Sequence, residues 1–551
     1  MRTTLLCLVL AYAQSGAQNP QPAQTPADTG KISGTVTHWV TGRPVEGVTV
    51  RMVRWDGGRG QQIPAKQTGA DGRFLFERLQ SGEYSLTFSA QGFVPLQFGQ
   101  RYPQDMPQRI ELRDAQHFDK AGIVLPPTSA IEGRLLDEFG DPAPGILVEA
   151  ARVAWAAGKR RLFPASPASQ SRPTTDDLGR FRIANLPPGN YYLVALAGPF
   201  AGPADPSGFA VTYFPGTAVP MEAQAVRLDV GKDTTGLTFS MIPAPMSAVS
   251  GVLVDENDKS IPSASVILLP TSGGDVRSYV TGRLGTGPDG TFGFRNIAPG
   301  SYVIQAFGRP VGGGNLGRAP FASWPLTLSE GSEITSLRVK VSPGATARGR
   351  FIFDGSAPPP VPKQVLISII PTNFASAPAG GGPPNSVIRD DWTFEVNNMF
   401  GVRTIAIVAS TGWTLKQVTH NGRDITDETL DFVKGDVDGL EITLTSRAPV
   451  LTGTVTDSGG APAAECAVIV FSEETAKWTY PSRYFGQARV NAKGTFSLPG
   501  LPPGGYLVAA LPNVLGTDWQ DPEFLKRHYG LATRVTLSEA STATVAVKVI
   551  R

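Results

Sequence analysis

One turn and the strand after it are written four times in this 551-residue chain: RLQSGEYSLTF from position 78, NLPPGNYYLVA from 185, NIAPGSYVIQA from 296 and GLPPGGYLVAA from 500. A second phrase, in which a glycine follows an apolar and a polar residue and leads into a strand, occurs five times, as ISGTV, IEGRL, VSGVL, ARGRF and LTGTV. Its glycines, Gly34, Gly133, Gly251, Gly349 and Gly453, stand about one hundred residues apart. Repeat units of about 20 to 50 residues cannot bury a core alone, whereas about one hundred residues suit a complete domain. The period therefore predicts five beads in series, each with its own core.

Within a copy the signals keep one order. A turn with Pro44, Pro142, Pro262 or Pro462 precedes an alternating strand, VTVRMV, ILVEAA, SVILL or AVIVF. A glycine turn follows in DGRFLF, LGRFRI, DGTFGF and KGTFSL, and its Phe74, Phe181, Phe292 or Phe496 lies eight residues before Gly82, Gly189, Gly300 or Gly504. Asp-Gly supplies the positive backbone angles of a tight hairpin at little steric cost. In the strand after the second glycine, Tyr191, Leu193 and Ala195 share one face at period two, as do their counterparts beginning at Tyr84, Tyr302 and Tyr506. This reads as a corner between two sheets, with a tyrosine ring buried and its hydroxyl on a nearby backbone group. The fourth copy diverges, with Trp392 where the hairpin glycine belongs and Arg403 in place of the tyrosine, but its LDFVKGDVDGLEITLT still matches VRLDVGKDTTGLTFSM of the second.

The expected fold is all-β, a tandem array of about five Greek-key-like β-sandwich domains after a cleaved signal peptide. The expected boundaries are 1–17 signal peptide, 18–30 flexible leader, and sandwiches at 31–126, 127–245, 246–344, 345–447 (divergent) and 448–551. Gly 62 and Pro 48 suit many short strands joined by turns. The pattern resembles the transthyretin-like, carboxypeptidase regulatory-like domains, with their G-x-V-x-D, Pro turn, DG-x-F hairpin and L-P-P-G-x-Y, and the resemblance runs from about 31 to 551. It implies a seven-stranded Greek-key-like sandwich grouped with carbohydrate-binding-like and prealbumin-like domains.

The first residues, MRTTLLCLVLAYAQSGAQ, fit a short secretory signal cut after Ala17 or Ala13. Export to the periplasm, the cell surface or the extracellular space is expected, with no membrane span once the signal is removed. Without Cys7, Cys466 stands alone and reads as a small buried hydrophobe. The linkers are short, which limits freedom between beads, and mobility is expected in the loops GRPVGGGNLGRAPF at 308 and SAPAGGGPPN at 376.

A net charge of +2 gives no electrostatic reason to bind nucleic acid, and no nucleic-acid partner is expected. The four histidines, His38, His117, His420 and His528, form no His-x-x-Glu or His-Glu-x-x-His zinc motif, and there is no Gly-x-Ser-x-Gly elbow or Walker loop. No cofactor, metal or enzyme activity is expected. Asp137 to Asp141 and Asp255 to Asp258 gather oxygen ligands without the twelve-residue calcium-loop pattern, and Lys159-Arg160-Arg161 reads as an exposed hairpin tip. The candidate ligand-binding residues are Trp55, Trp155 and Trp478, which fall 21, 22 and 25 residues after their opening glycines. Repeated aromatic faces suit stacking on sugar rings, and several such sites add avidity. The expected function is a noncatalytic exported modular protein of the cell envelope that contacts polysaccharide or an envelope protein through its sandwich loops. The alternatives are a purely structural spacer or an accessory protein of an envelope enzyme.

Overall fold

The computed structural model describes residues 30–550 except 57–58, 157, 166–172, 197–206, 272–281, 309–319, 379–385, 409–411, 464–465, 492, 513 and 515–516. The signal and leader, and most of the two glycine-rich loops, lie outside these residues. Strands dominate the regular structure of the described residues, which include one α-helix, α1 (Pro522–Tyr529). No helix among them is long and apolar enough to cross a membrane.

One plan recurs along the chain. The opening strand of each copy (Gly30–His38, Ser129–Leu136, Ser247–Val254, Ala345–Asp354 and Val450–Thr456) runs antiparallel to the strand after the glycine hairpin and parallel to the closing strand. The corner then carries the chain into a second sheet, centred on pairs such as Leu147–Ala156 with Gly189–Leu196 and Ala467–Ser472 with Gly504–Leu511. Alternation sends one face of each strand inward: Arg73–Leu79 and Arg180–Leu186 bury the same positions in turn. The buried residues form five principal cores, drawn from residues 32–125, 131–241, 249–341, 345–444 and 451–547. In the fourth copy the first sheet grows to six strands, because Thr414–His420 and Arg423–Asp424 add beyond the closing strand and Ser386–Ile388 adds at the opposite edge.

The repeated opening glycine has a steric cause. A Cβ on Gly251 would lie 2.1 Å from the Leu337 carbonyl oxygen, on Gly349 2.0 Å from that of Leu440, and on Gly453 2.3 Å from that of Val545. In each case the obstructing backbone belongs to the parallel closing strand, and at Gly251 and Gly349 the register slips at that point. The hairpin glycines take φ near +70°, for example +70° at Gly179 and +75° at Gly494. Trp392 adopts φ +65° at the same place. Its ring compensates by packing edge-on to Phe353 at 4.5 Å and Phe351 at 6.0 Å.

The corner tyrosines behave as their position suggests. Tyr84, Tyr302 and Tyr506 donate their hydroxyls to the carbonyls of Gln80, Ala298 and Pro502, four residues upstream, at 2.7, 2.7 and 2.8 Å, and Tyr191 does so to Pro187. Arg403 replaces the phenol with a buried guanidinium, whose Nε donates to the Phe400 carbonyl at 2.8 Å and whose terminal nitrogen donates to that of Ile369 at 3.0 Å. A cation thus performs a neutral hydroxyl's task in the divergent copy.

The last sandwich touches three others. Arg483 holds Asp427 of the fourth at 2.9 Å, Arg489 donates to the Met106 carbonyl of the first at 2.6 Å, and Asp521 accepts from Arg160 of the second at 2.7 Å. The chain therefore folds back so that its fifth bead meets its first two.

Candidate functional site

The three singled-out tryptophans have different surroundings. Trp55 ends the strand Thr49–Asp56, half-buried, with Nε1 donating to Ser85 Oγ at 2.9 Å and the Arg109 guanidinium 4.6 Å from its ring centroid. Trp155 occupies the matching place near the end of Leu147–Ala156, and its backbone N–H donates to Thr517 Oγ1 of the fifth sandwich at 3.1 Å. Trp478 lies beyond its strand, only 6% exposed, against Phe471 and Tyr529, with Nε1 donating to the Ser472 carbonyl at 2.7 Å. The structure does not bring the three together. Trp478 belongs to an apolar cluster that seats α1 through Leu525.

Trp155 opens onto a cleft of about 870 Å³ where the first, second and fifth sandwiches meet. Tyr192 comes from the same sheet of the second sandwich, Tyr102 from the loop between Leu96–Gln97 and Ile110–Leu112 of the first, and Phe524 from α1 of the fifth. Arg152, Arg160, Arg227, Arg527, Asp229, Asp518 and Asp521 also line the cleft, with Arg227 paired to Asp229 at 3.0 Å and Arg160 to Asp521. Arg152 is braced by the corner, since it donates to the Pro187 and Pro188 carbonyls at 3.1 and 2.9 Å and lies 4.5 Å from the Tyr191 ring centroid. Burial pushes the Asp518 carboxyl above its ordinary range; the nearby Arg160 opposes this and Asp521 adds to it. Aromatic faces beside planar charged groups suit a ligand with both apolar ring faces and many hydroxyls.

A second cleft, of about 1220 Å³, lies between the first and fifth sandwiches and shares Tyr102 with the first. Trp39, Arg101, Arg109 and Arg489 line it. Sequence reasoning missed Tyr102, Arg101 and Phe524. They sit in segments inserted between the corner strand and the closing strand, PLQFGQRYPQDMPQR and DWQDPEFLKRHYG, where the copies differ most. That departure from the repeat was the available signal.

The remaining candidates resolve into local structure. Asp137 Oδ1 accepts from the backbone N–H groups of Phe139 and Asp141, Asp255 Oδ1 from those of Asn257 and Lys259, and Asp457 Oδ1 from those of Gly459 and Ala461. These carboxylates close their own turns. Among the described residues no group of three or more His, Cys, Asp or Glu side chains could hold a metal ion. Arg160 of the basic tip is the partner of Asp521, and Cys466 is buried, as expected.

Over 110 residues the chain is 27% identical to a 5-hydroxyisourate hydrolase of Mesorhizobium japonicum, which spans 18% of this chain and 88% of that protein. Among solved structures, a minor pilin of Streptococcus agalactiae is 15% identical, with 39% of this chain and 97% of that one covered at a TM-score of 0.24. A streptococcal ancillary pilin is 17% identical, with 57% and 99% covered at a TM-score of 0.19. At such scores neither pilin informs mechanism. Residues 31–113 match the model of the carboxypeptidase regulatory-like domain, and the strand plan, hairpin and tyrosine corner described above fall in the same segment.

Proposed function

We propose that the chain is a noncatalytic, exported binding protein of the cell envelope that holds polysaccharide in the cleft where its first, second and fifth sandwiches meet. The observation that carries this reading is the convergence of Trp155, Tyr102, Tyr192 and Phe524, from three separate sandwiches, on one space also lined by arginines and aspartates. A spacer needs no such convergence. Stacking on sugar rings and hydrogen bonding to hydroxyls are the interactions that this mixture supplies. The signal-like first seventeen residues support export.

Three of the four histidines make local contacts. His38 Nδ1 accepts from the Val40 backbone at 3.0 Å, His117 pairs with Ser33 Oγ at 3.0 Å, and His528 Nδ1 lies 2.8 Å from the Phe524 carbonyl. The test is retention of the protein on a panel of insoluble polysaccharides, beside a Trp155→Ala/Tyr192→Ala variant. Retention lost in the still-folded variant is the expected result, and a panel that retains neither protein would refute the reading.

A further inference from the structure

The cleft between the first and fifth sandwiches carries charge in a different arrangement. On its first-sandwich wall the Trp39 and Tyr102 rings are tilted at 45° with centroids 5.7 Å apart. The Arg101 guanidinium lies 4.8 Å from the Trp39 centroid and 5.9 Å from that of Tyr102. A guanidinium on aromatic rings makes no hydrogen bonds to them, so its N–H donors remain for a ligand.

The other charges of the cleft are committed. Arg109 is paired with Glu83 at 2.8 Å and stacked on Trp55, and Arg489 donates to the Met106 carbonyl. Asp105, the one carboxylate lining the cleft, accepts from the backbone N–H groups of Arg101 and Tyr102 at 2.9 and 2.7 Å, which ties the loop to itself. Among the described residues no ion pair includes Arg101, and three arginines but only one carboxylate line the cleft. A cation held beside aromatic faces and left without a counter-charge fits an anion that brings its own apolar surface.

We propose that this second cleft binds a uronate residue of an acidic polysaccharide, with the sugar carboxylate on the Arg101 guanidinium and the ring against the Trp39 and Tyr102 wall. Guanidinium and carboxylate match in planar, bidentate geometry. The amides of Gln108 and Gln487 line the same space, where sugar hydroxyls can use them as donors and acceptors. The volume of about 1220 Å³ exceeds the roughly 300–1,000 Å³ of ordinary small-ligand sites and suits a chain segment. The inference rests on the polysaccharide reading and adds to it a charge class and a second seat. Because Tyr102 borders both clefts, one glycan chain can pass from one seat to the other.

The test titrates the whole protein with galacturonate, glucuronate and mannuronate oligosaccharides and with their neutral methyl esters. The acidic forms bind at least about tenfold more tightly than the esters, and Arg101→Gln removes most of that difference by weakening the acid more than the ester. Arg101→Lys, which keeps the charge, restores part of the preference. Arg101 is exposed, so thermal unfolding of both variants stays at the wild-type midpoint. Equal binding of acid and ester, or a preference that survives in Arg101→Gln, overturns the inference while retention sensitive to Trp155 leaves the broader reading standing. Failure of every acidic and neutral glycan overturns both.

Discussion

Asp521 and Arg160 lie 361 positions apart, yet the Asp521 carboxylate accepts from the Arg160 Nε at 2.7 Å while its other oxygen caps α1 through the Glu523 N–H at 2.9 Å. One buried side chain therefore starts the helix that carries Phe524 and ties the fifth sandwich to the second. Arg160 is more than half exposed, so the ion pair itself contributes less than about 1 kcal/mol, and the cap contributes about 1 kcal/mol. Asp521→Ala is expected to lower stability by about 1–2 kcal/mol in denaturant titration. Asp521→Asn, which keeps the cap, is expected to lose about half of that or less.

The corner tyrosines predict the response to alkali. Burial pushes the phenols of Tyr191 and Tyr302 up to about 12 and that of Tyr506 higher still, against about 10 in the unfolded chain. A raised folded pKa gives stability that is fully present below pH 10 and is lost as pH rises through 12, because only the unfolded chain releases these protons readily. Phenolate absorbance should therefore appear together with unfolding rather than before it. Tyr302→Phe should cost about 1–2 kcal/mol at neutral pH by leaving the Ala298 carbonyl without its donor.

The opening glycines offer a test of the shared plan. Gly251→Ala sets a methyl group 2.1 Å from the Leu337 carbonyl oxygen, a backbone atom that cannot swing away. A loss of about 1–3 kcal/mol is expected from displaced closing strand, read by chemical denaturation. Gly236→Ala in the second sandwich, where a Cβ meets nothing within 4 Å but φ is +78°, should cost only about 1 kcal/mol of backbone strain.

The tryptophans separate packing from exposure. Trp478→Ala should cost about 3–5 kcal/mol, as a buried ring with a satisfied indole N–H, and should loosen α1. Trp155→Ala should cost less and act chiefly on retention by polysaccharide. Comparing thermal midpoints with bound fractions for the two variants distinguishes these roles.

Much of the architecture was legible because the repeat multiplies each signal. The hairpin glycines, the corner glycines and the alternating faces all recur at fixed intervals, and each interval reports a backbone requirement that one residue type meets. The tyrosine hydroxyl bond four residues upstream was foreseeable for the same reason. The clefts were not, since they depend on how separate beads dock. Trp39 stands in a first hairpin and Tyr102 in an unrepeated insert; their rings meet within the first sandwich, and docking of the fifth supplies the facing wall of the cleft. Trp478 looked equivalent to Trp55 by spacing, but it follows a short 3-10 turn, Thr475–Lys477, that directs its ring beneath α1.

Both clefts require that the fifth sandwich touch the first two, so small-angle X-ray scattering of the purified protein is the most direct test. Five beads of about one hundred residues in line would span roughly 170 Å. The contacts of Arg489 with Met106 and of Asp521 with Arg160 predict a maximum dimension well short of that length, and one that grows in an Arg160→Glu/Arg489→Glu variant. A wild-type maximum dimension near 170 Å would contradict the docked arrangement and, with it, both binding clefts.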